Sequence, residues 1–344
     1  MRLVVPTGLL LVLTAAALAP ASAATLVVAN KAEATASLID LGSGEVVATL
    51  PTGAGPHEVG ISPDGARALV TNYATRDAEG STLTLIDVGG AEVLKTIDLG
   101  EHRRPHGVEW LDGRRAAVTA EASKALLVLD VEAGEVVNAI DTAQEVSHMV
   151  ALAPDGRHAY VANIGSGSAT VIDLSSGTRL ANVATGDGAE GIAVAAGGGQ
   201  VWVTNRAADT VTVLDPETLK PLAELASPGF PIRATAAGGR VLVTRARAGD
   251  MVIYDAAKLA EEKVVKFDLK AAGFEGRLFG DRFGDSSVPI GVVVDGDGER
   301  AWIAHANADV ITEVDLDKGA IVRLLKAGRE PDGMGYSPVA VKSP

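Results

Sequence analysis

Three of the six histidines in this 344-residue chain, His57, His106 and His148, are followed at a matching interval by Glu190. The steps between them are 49, 42 and 42 residues, and the same phase continues through Ile232, Ile290 and Asp332 at 42, 58 and 42. A repeat that brings this phase to one point would gather three imidazoles and a carboxylate. Neutral imidazoles with one carboxylate suit Zn, Cu, Fe or Ni far better than Ca or Mg. The candidate metal set is therefore His57, His106, His148 and Glu190. Asp332, on the unit beside His57, joins Arg233, Arg245 and His305 as candidate ligand-binding residues, because arginines facing a histidine–carboxylate group orient a small anion. The same residues also suit a wet polar channel whose histidines bond to water, to backbone carbonyls or to Glu190 and Asp332. Both readings stay open at this stage, and no catalytic residue is assigned.

The spacing implies the elements that must carry these side chains. Alternating apolar runs close on Asp40, Asp87, Asp130, Asp173, Asp215, Asp255 and Asp315. Ten residues before six of these, another β-rich run ends at Asn30, Ala120, Asn163, Asn205, Arg245 and His305; the seventh pair, Asn72 and Asp87, is 15 apart. Short turns such as Gly42-Ser43-Gly44 and Pro63-Asp64-Gly65 separate the runs, and no segment keeps a helical period long enough for a crossover helix. Four short strands per cycle of about 42 residues is the signature of a β-propeller blade. Seven aspartates predict an all-β, seven-bladed propeller of four-stranded antiparallel blades. Residues 25–51 lack a leading strand and residues 332–341 supply one, so the two termini are expected to share the closing blade. In this architecture the leading strands line a central channel. The ends of the second strands lie on the same face, where Asn at most positions reads as turn chemistry.

The Tyr/Trp-Val-Thr/Ala-Asn runs at 160–163 and 202–205, with the Val-x-Val-Ile/Leu-Asp strands, resemble the YVTN-repeat, YncE-like β-propellers over essentially the whole of residues 24–344. The resemblance implies the fold strongly and the function weakly. Its members include accessory proteins of quinoprotein dehydrogenase systems, lactonase-like enzymes and binding proteins. The first expectation is a ligand- or partner-binding module with its site at the channel mouth. The alternatives are a lactonase- or lyase-like enzyme with a histidine base in the same cavity, or an accessory protein of a periplasmic redox system. A partner protein could dock on two insertions expected on the mouth face. One spans about 73–80; the other spans 270–287 and holds Phe274, Phe279 and Phe283.

Composition narrows the classes further. With no cysteine, disulfides, thiolate metal sites and cysteine nucleophiles are excluded. The formal charge is −14, which opposes nucleic-acid binding. Arg2, an apolar run from Leu3 to Ala19 and Ala21-Ser22-Ala23 read as a cleaved secretory signal over 1–23. The expected product is a periplasmic or secreted monomer with no membrane anchor after cleavage.

Overall fold

The computed structural model describes residues 24–75 and 78–342. The expected signal segment at 1–23 lies outside them, as do Arg76 and Asp77 of the first insertion. The described chain forms seven sheets of four antiparallel strands, and its only helical element is a 3₁₀ turn at Ala196–Gly198. Blades 1 to 6 begin with the leading strands Pro56–Ile61, Pro105–Trp110, Ser147–Leu152, Ala189–Ala195, Pro231–Ala237 and Pro289–Val294. The closing blade takes its leading strand, Pro331–Ser337, from the C-terminal end. Thr25–Asn30, Thr35–Asp40 and Val46–Pro51 come from the N-terminal end. Thr25 pairs with Ser337 and Val27 with Gly335, so the ring closes through a shared sheet as the strand count required.

The repeated aspartates are turn residues. Asp40, Asp87, Asp130, Asp173, Asp215, Asp255 and Asp315 each accept a backbone N–H two or three residues on, holding the hairpin into the outermost strand. The asparagines ending second strands do something different from the expected local turn. They are buried, and their amides donate to hydroxyls across the hairpin: Asn72 to Thr82 and Thr84, Asn205 to Thr210 and Thr212. Asn30 and Asn72 also accept the backbone N–H of Gly328 and Gly53, in the chain arriving from the preceding blade.

Apolar side chains between neighbouring blades form the core. Trp302 of blade 6 stacks on Tyr336 of the closing blade at 5.5 Å, and Trp202 packs on Tyr254 of blade 5 at 5.6 Å. The outermost strands alternate toward solvent and carry the exposed apolar residues Val47, Leu94, Val137 and Leu180.

One irregularity recurs in every blade. Where each leading strand pairs with its second strand, the register slips by a residue just after the initial Pro, Ser or Ala. A bulge of this kind inserts one extra residue and re-aims the side chains around it. In four blades its second residue is glycine: Gly107, Gly191, Gly291 and Gly333. The leading strands crowd there. A Cβ on Gly333 would lie 2.3 Å from the His57 carbonyl, and one on Gly291 would lie 2.1 Å from that of Asp332. Gly333→Ala should therefore force the closing blade off blade 1 and cost ~1–3 kcal/mol, as overpacking does. Gly113→Ala, at a turn with open space around it, is the matched control. Urea denaturation midpoints of the two variants check this, and equal midpoints would contradict it.

Candidate metal and ligand site at the channel mouth

The bulge makes two consecutive residues of each leading strand available to the mouth. Blade 1 presents His57 and Glu58, blade 2 His106, blade 3 His148, blade 4 Glu190, blade 5 Arg233 and the closing blade Asp332. All seven are buried. Threonines of the second strands fix the bulges. Thr71, Thr119 and Thr204 hydroxyls accept the N–H groups of Glu58, Gly107 and Gly191, which the slipped ladder leaves without a strand partner. Thr119 donates in turn to the His148 carbonyl of the next blade, and Thr244 to that of Ile290.

The three imidazoles meet ring on ring. His106 lies between His57, at 4.0 Å between centroids, and His148, at 3.5 Å. His57 Nε2 is 2.9 Å from Lys31 Nζ, and its Nδ1 is 2.8 Å from Asp332 Oδ2. An ammonium only donates, so Nε2 accepts and the ring proton sits on Nδ1, toward the carboxylate. Burial outweighs Asp332 and lowers the His57 pKa. His148 differs. Burial alone would lower its pKa, but Glu121 Oε1 at 2.5 Å from Nδ1 and Glu190 Oε1 at 3.3 Å from Nε2 raise it. Burial, followed by the charges of His148 and His57, drives His106 well below the ordinary histidine range. His106 is 0% exposed, and neither of its ring nitrogens has a hydrogen-bond partner.

Arg233 bars the channel beneath the rings. Its Nη2 lies 2.6 Å from Glu58 Oε1, across the ring, and its Nη1 lies 3.1 Å from Glu190 Oε1. Arg206 also pairs with Glu190. Burial would raise the Glu190 pKa, but His148 and the two arginines bring it down to about 2. Below the bar a cavity of about 430 Å³ continues between the leading strands. Glu109 lines it and is open to its lumen; enclosure by the channel walls, aided by Glu58, pushes its carboxyl up to about 7. Above the rings a cleft of about 800 Å³ opens between the two insertions, lined by Lys31, Tyr73, Arg104, Arg277, Arg329 and Glu330 among others. The longer insertion is anchored by Arg277 on Asp309 and by Phe283 packed on Phe230.

The structure thus brings together His57, His106, His148, Glu190, Asp332 and Arg233. Two residues of the proposed ligand group stand apart. Arg245 is engaged by both oxygens of Asp250 in its own hairpin. His305 lies between the Ser287 and Thr312 hydroxyls, at 2.9 and 3.1 Å. Both occupy the position that other blades give to asparagine and serve the same hairpin. The mouth is instead supplied by the next residue along: Lys31, Tyr73, Glu121 and Arg206. Reading one position further at the ends of the second strands would have found them.

Among the described residues, two overlapping groups could each hold a metal ion: His57, Glu58 and His106, and His106, Glu121 and His148. Within each, the ligand atoms lie within 4.8 Å of one another. His106 belongs to both. A family model described as a YNCE-like beta-propeller matches residues 13–116, and one described as a cytochrome D1 heme domain matches residues 113–241. No curated protein matches the chain.

Two outcomes follow from the buried charges. Arg233→Met leaves Glu58 and Glu190 without their shared counter-charge and should cost ~3–5 kcal/mol, with partial recovery when Glu58→Gln is added; denaturant titration reads both. Burial lowers the His305 pKa to about 3, against an ordinary 6.5. Between those values the unfolded chain binds a proton that the folded chain does not, so stability is lost as pH falls from 6.5 toward 3. Replacing this histidine with the residue of the other blades, His305→Asn, should remove about 1 kcal/mol of that loss per pH unit. Unfolding midpoints of both proteins across pH 4–7 check it.

Proposed function

We propose that this YncE-like seven-bladed propeller is an exported binding module that holds a transition metal at its channel mouth. The observation that carries this reading is His106: an imidazole fully buried between two others, with both nitrogens unpartnered and with carboxylates on either side. A buried polar atom without a partner costs free energy, and a metal ion would satisfy it. His106 would hold the ion with His57 or His148 and with Glu58 or Glu121. Glu190, the carboxylate expected from spacing, is committed to Arg206, Arg233 and His148. Export rests on Arg2, the apolar run from Leu3 to Ala19 and Ala21-Ser22-Ala23.

The cleft above supports a second component of the same function. Lys31, Arg104, Arg277 and Arg329 line its walls, so a small anion, or an acidic segment of a partner protein, could settle over the metal. The two insertions frame that cleft and offer a docking surface for a redox partner.

The match to a haem domain does not favour a haem at this mouth. The three candidate axial imidazoles are packed against one another, and the nitrogens of His57 and His148 face carboxylates or Lys31. None of the three opens onto a space broad enough for a macrocycle: His57, His106 and His148 are 5%, 0% and 6% exposed. The enzymatic alternative is also less well served. A general base must be unprotonated near neutral pH, whereas His148 sits between two carboxylates that favour its charged form. Arg233, which would have held a substrate carboxylate, already has Glu58 and Glu190.

Protein purified without chelator, dialysed against equal traces of Zn, Cu, Fe and Ni, should retain about one metal ion per chain by mass spectrometry. His106→Ala should lose at least tenfold in affinity with its fold intact by circular dichroism. Retention of less than a tenth of an ion per chain, unchanged in His106→Ala, would overturn the metal reading.

A further inference from the structure

Tyr73 was singled out by neither its phase nor its type, yet it is the phenol nearest the imidazoles. It ends the stretch Asn72-Tyr73 at the point where blade 1 turns into the shorter insertion. Its ring stands edge-on to His57 at 5.0 Å and to His106 at 5.3 Å. Its hydroxyl lies 2.5 Å from Glu121 Oε2, while the other oxygen of that carboxylate is 2.5 Å from His148 Nδ1. Arg104 donates to the same phenol oxygen and its guanidinium covers the ring at 4.7 Å. Tyr73 also lines the floor of the cleft, so it stands between the buried rings and solvent.

We infer that Tyr73 is a ligand of the metal held by His106, His148 and Glu121, and that the site takes an ion that binds phenolate strongly, Fe(III) or Cu(II), in preference to Zn(II). This rests on the metal reading above. A neutral phenol is a poor ligand and a phenolate is a strong one for such ions. The residues around Tyr73 suit the change. When the ion binds, the Tyr73 O–H bond and one His148 N–H bond break, the freed lone pairs go to the metal, and both protons leave to solvent, the phenol's through the Glu121 carboxylate. No electron is transferred. Arg104 stays beside the new charge on the oxygen, as charge-assisted hydrogen bonding requires. The donor set is then two imidazoles, a carboxylate and a phenolate, with the cleft open above for an added anion. Imidazole alone would accept Zn, Cu, Fe or Ni; the two oxygen donors favour Fe(III) by hardness, and Cu(II) binds a given nitrogen and oxygen set more tightly than Zn(II).

The probes are CuCl2 and ferric citrate, with ZnCl2 as the colourless comparator. Copper- or iron-loaded wild type should show a phenolate-to-metal charge-transfer band in the visible, with resonance Raman modes of a tyrosinate. Tyr73→Phe should abolish both while still retaining metal by mass spectrometry, with affinity for Fe(III) or Cu(II) reduced at least tenfold and affinity for Zn(II) changed less than threefold. Stoichiometric copper or iron without that band in wild type, or a band unchanged in Tyr73→Phe, overturns the role of Tyr73 and leaves the metal reading standing. Absence of bound metal in both proteins overturns the two together. Arg104→Gln, which keeps the phenol, should retain the band at lower metal affinity and so separates loss of the ligand from disturbance of the loop.

Discussion

The bulge at the head of each leading strand is the constraint on which the rest of the mouth depends. A regular strand alternates its side chains, so only every second residue would face the axis. Slipping the register by one residue lets neighbours such as His57 and Glu58 both reach the mouth. It also leaves an N–H off the ladder, and the threonine of the second strand takes it up. Thr119 and Thr204 have a second task, because their hydroxyls also donate to the leading-strand carbonyls of the next blade, as Thr244 does. At Thr119 and Thr204 ring geometry and site geometry are thus tied together by one hydroxyl group. Glycine in the bulge follows from the same crowding: the neighbouring blade's backbone occupies the volume a side chain would need.

Within that frame, charge is arranged around a neutral centre. Glu58, Glu121, Glu190 and Asp332 are each met by a cation: Arg233, Arg104, Arg206 or Lys31. His148, between two carboxylates, adds a proton-carrying group. His106 receives none of this compensation and is kept uncharged by burial and by its imidazole neighbours. Burying ionic groups is costly unless each is paired, and the pairing here is nearly complete. His106 is the one mouth ring with both nitrogens unpartnered, while single unpartnered atoms of His57, His148, Glu190 and Asp332 lie around it.

The blade count, the shared closing blade and the convergence of His57, His106, His148, Glu190 and Asp332 were legible in the sequence because strand repeats preserve phase. A residue's angular position around the axis can be counted along the chain. What could not be counted was the local slip. Without the bulge, Glu58 reads as the neighbour of His57 on the opposite face, and nothing assigns it to Arg233, 175 residues away. The ends of the second strands failed for a related reason. The repeated asparagine drew attention to its own position, where Arg245 and His305 looked exceptional, although each bridges its own hairpin, Arg245 to Asp250 and His305 to Ser287 and Thr312. The functional residues Lys31, Tyr73, Glu121 and Arg206 follow the conspicuous one, and their types differ from blade to blade.

That difference separates structural from chemical positions in a repeat protein. A position that holds the blade together meets a similar demand in every copy, so it converges: aspartate at the outer turn in all seven, asparagine at the inner one in four, and threonine or alanine behind the bulge. A position that faces the axis meets its counterparts from the other blades, and identical residues there would repel one another or compete for one space. Seven carboxylates could not share this mouth, and seven imidazoles could not stack in it. Histidine on three adjacent blades, carboxylates on either side of them and arginine opposite is a division of labour around the axis. The divergent phases are consequently where the chemistry lies, and the ring's own symmetry is what makes them readable.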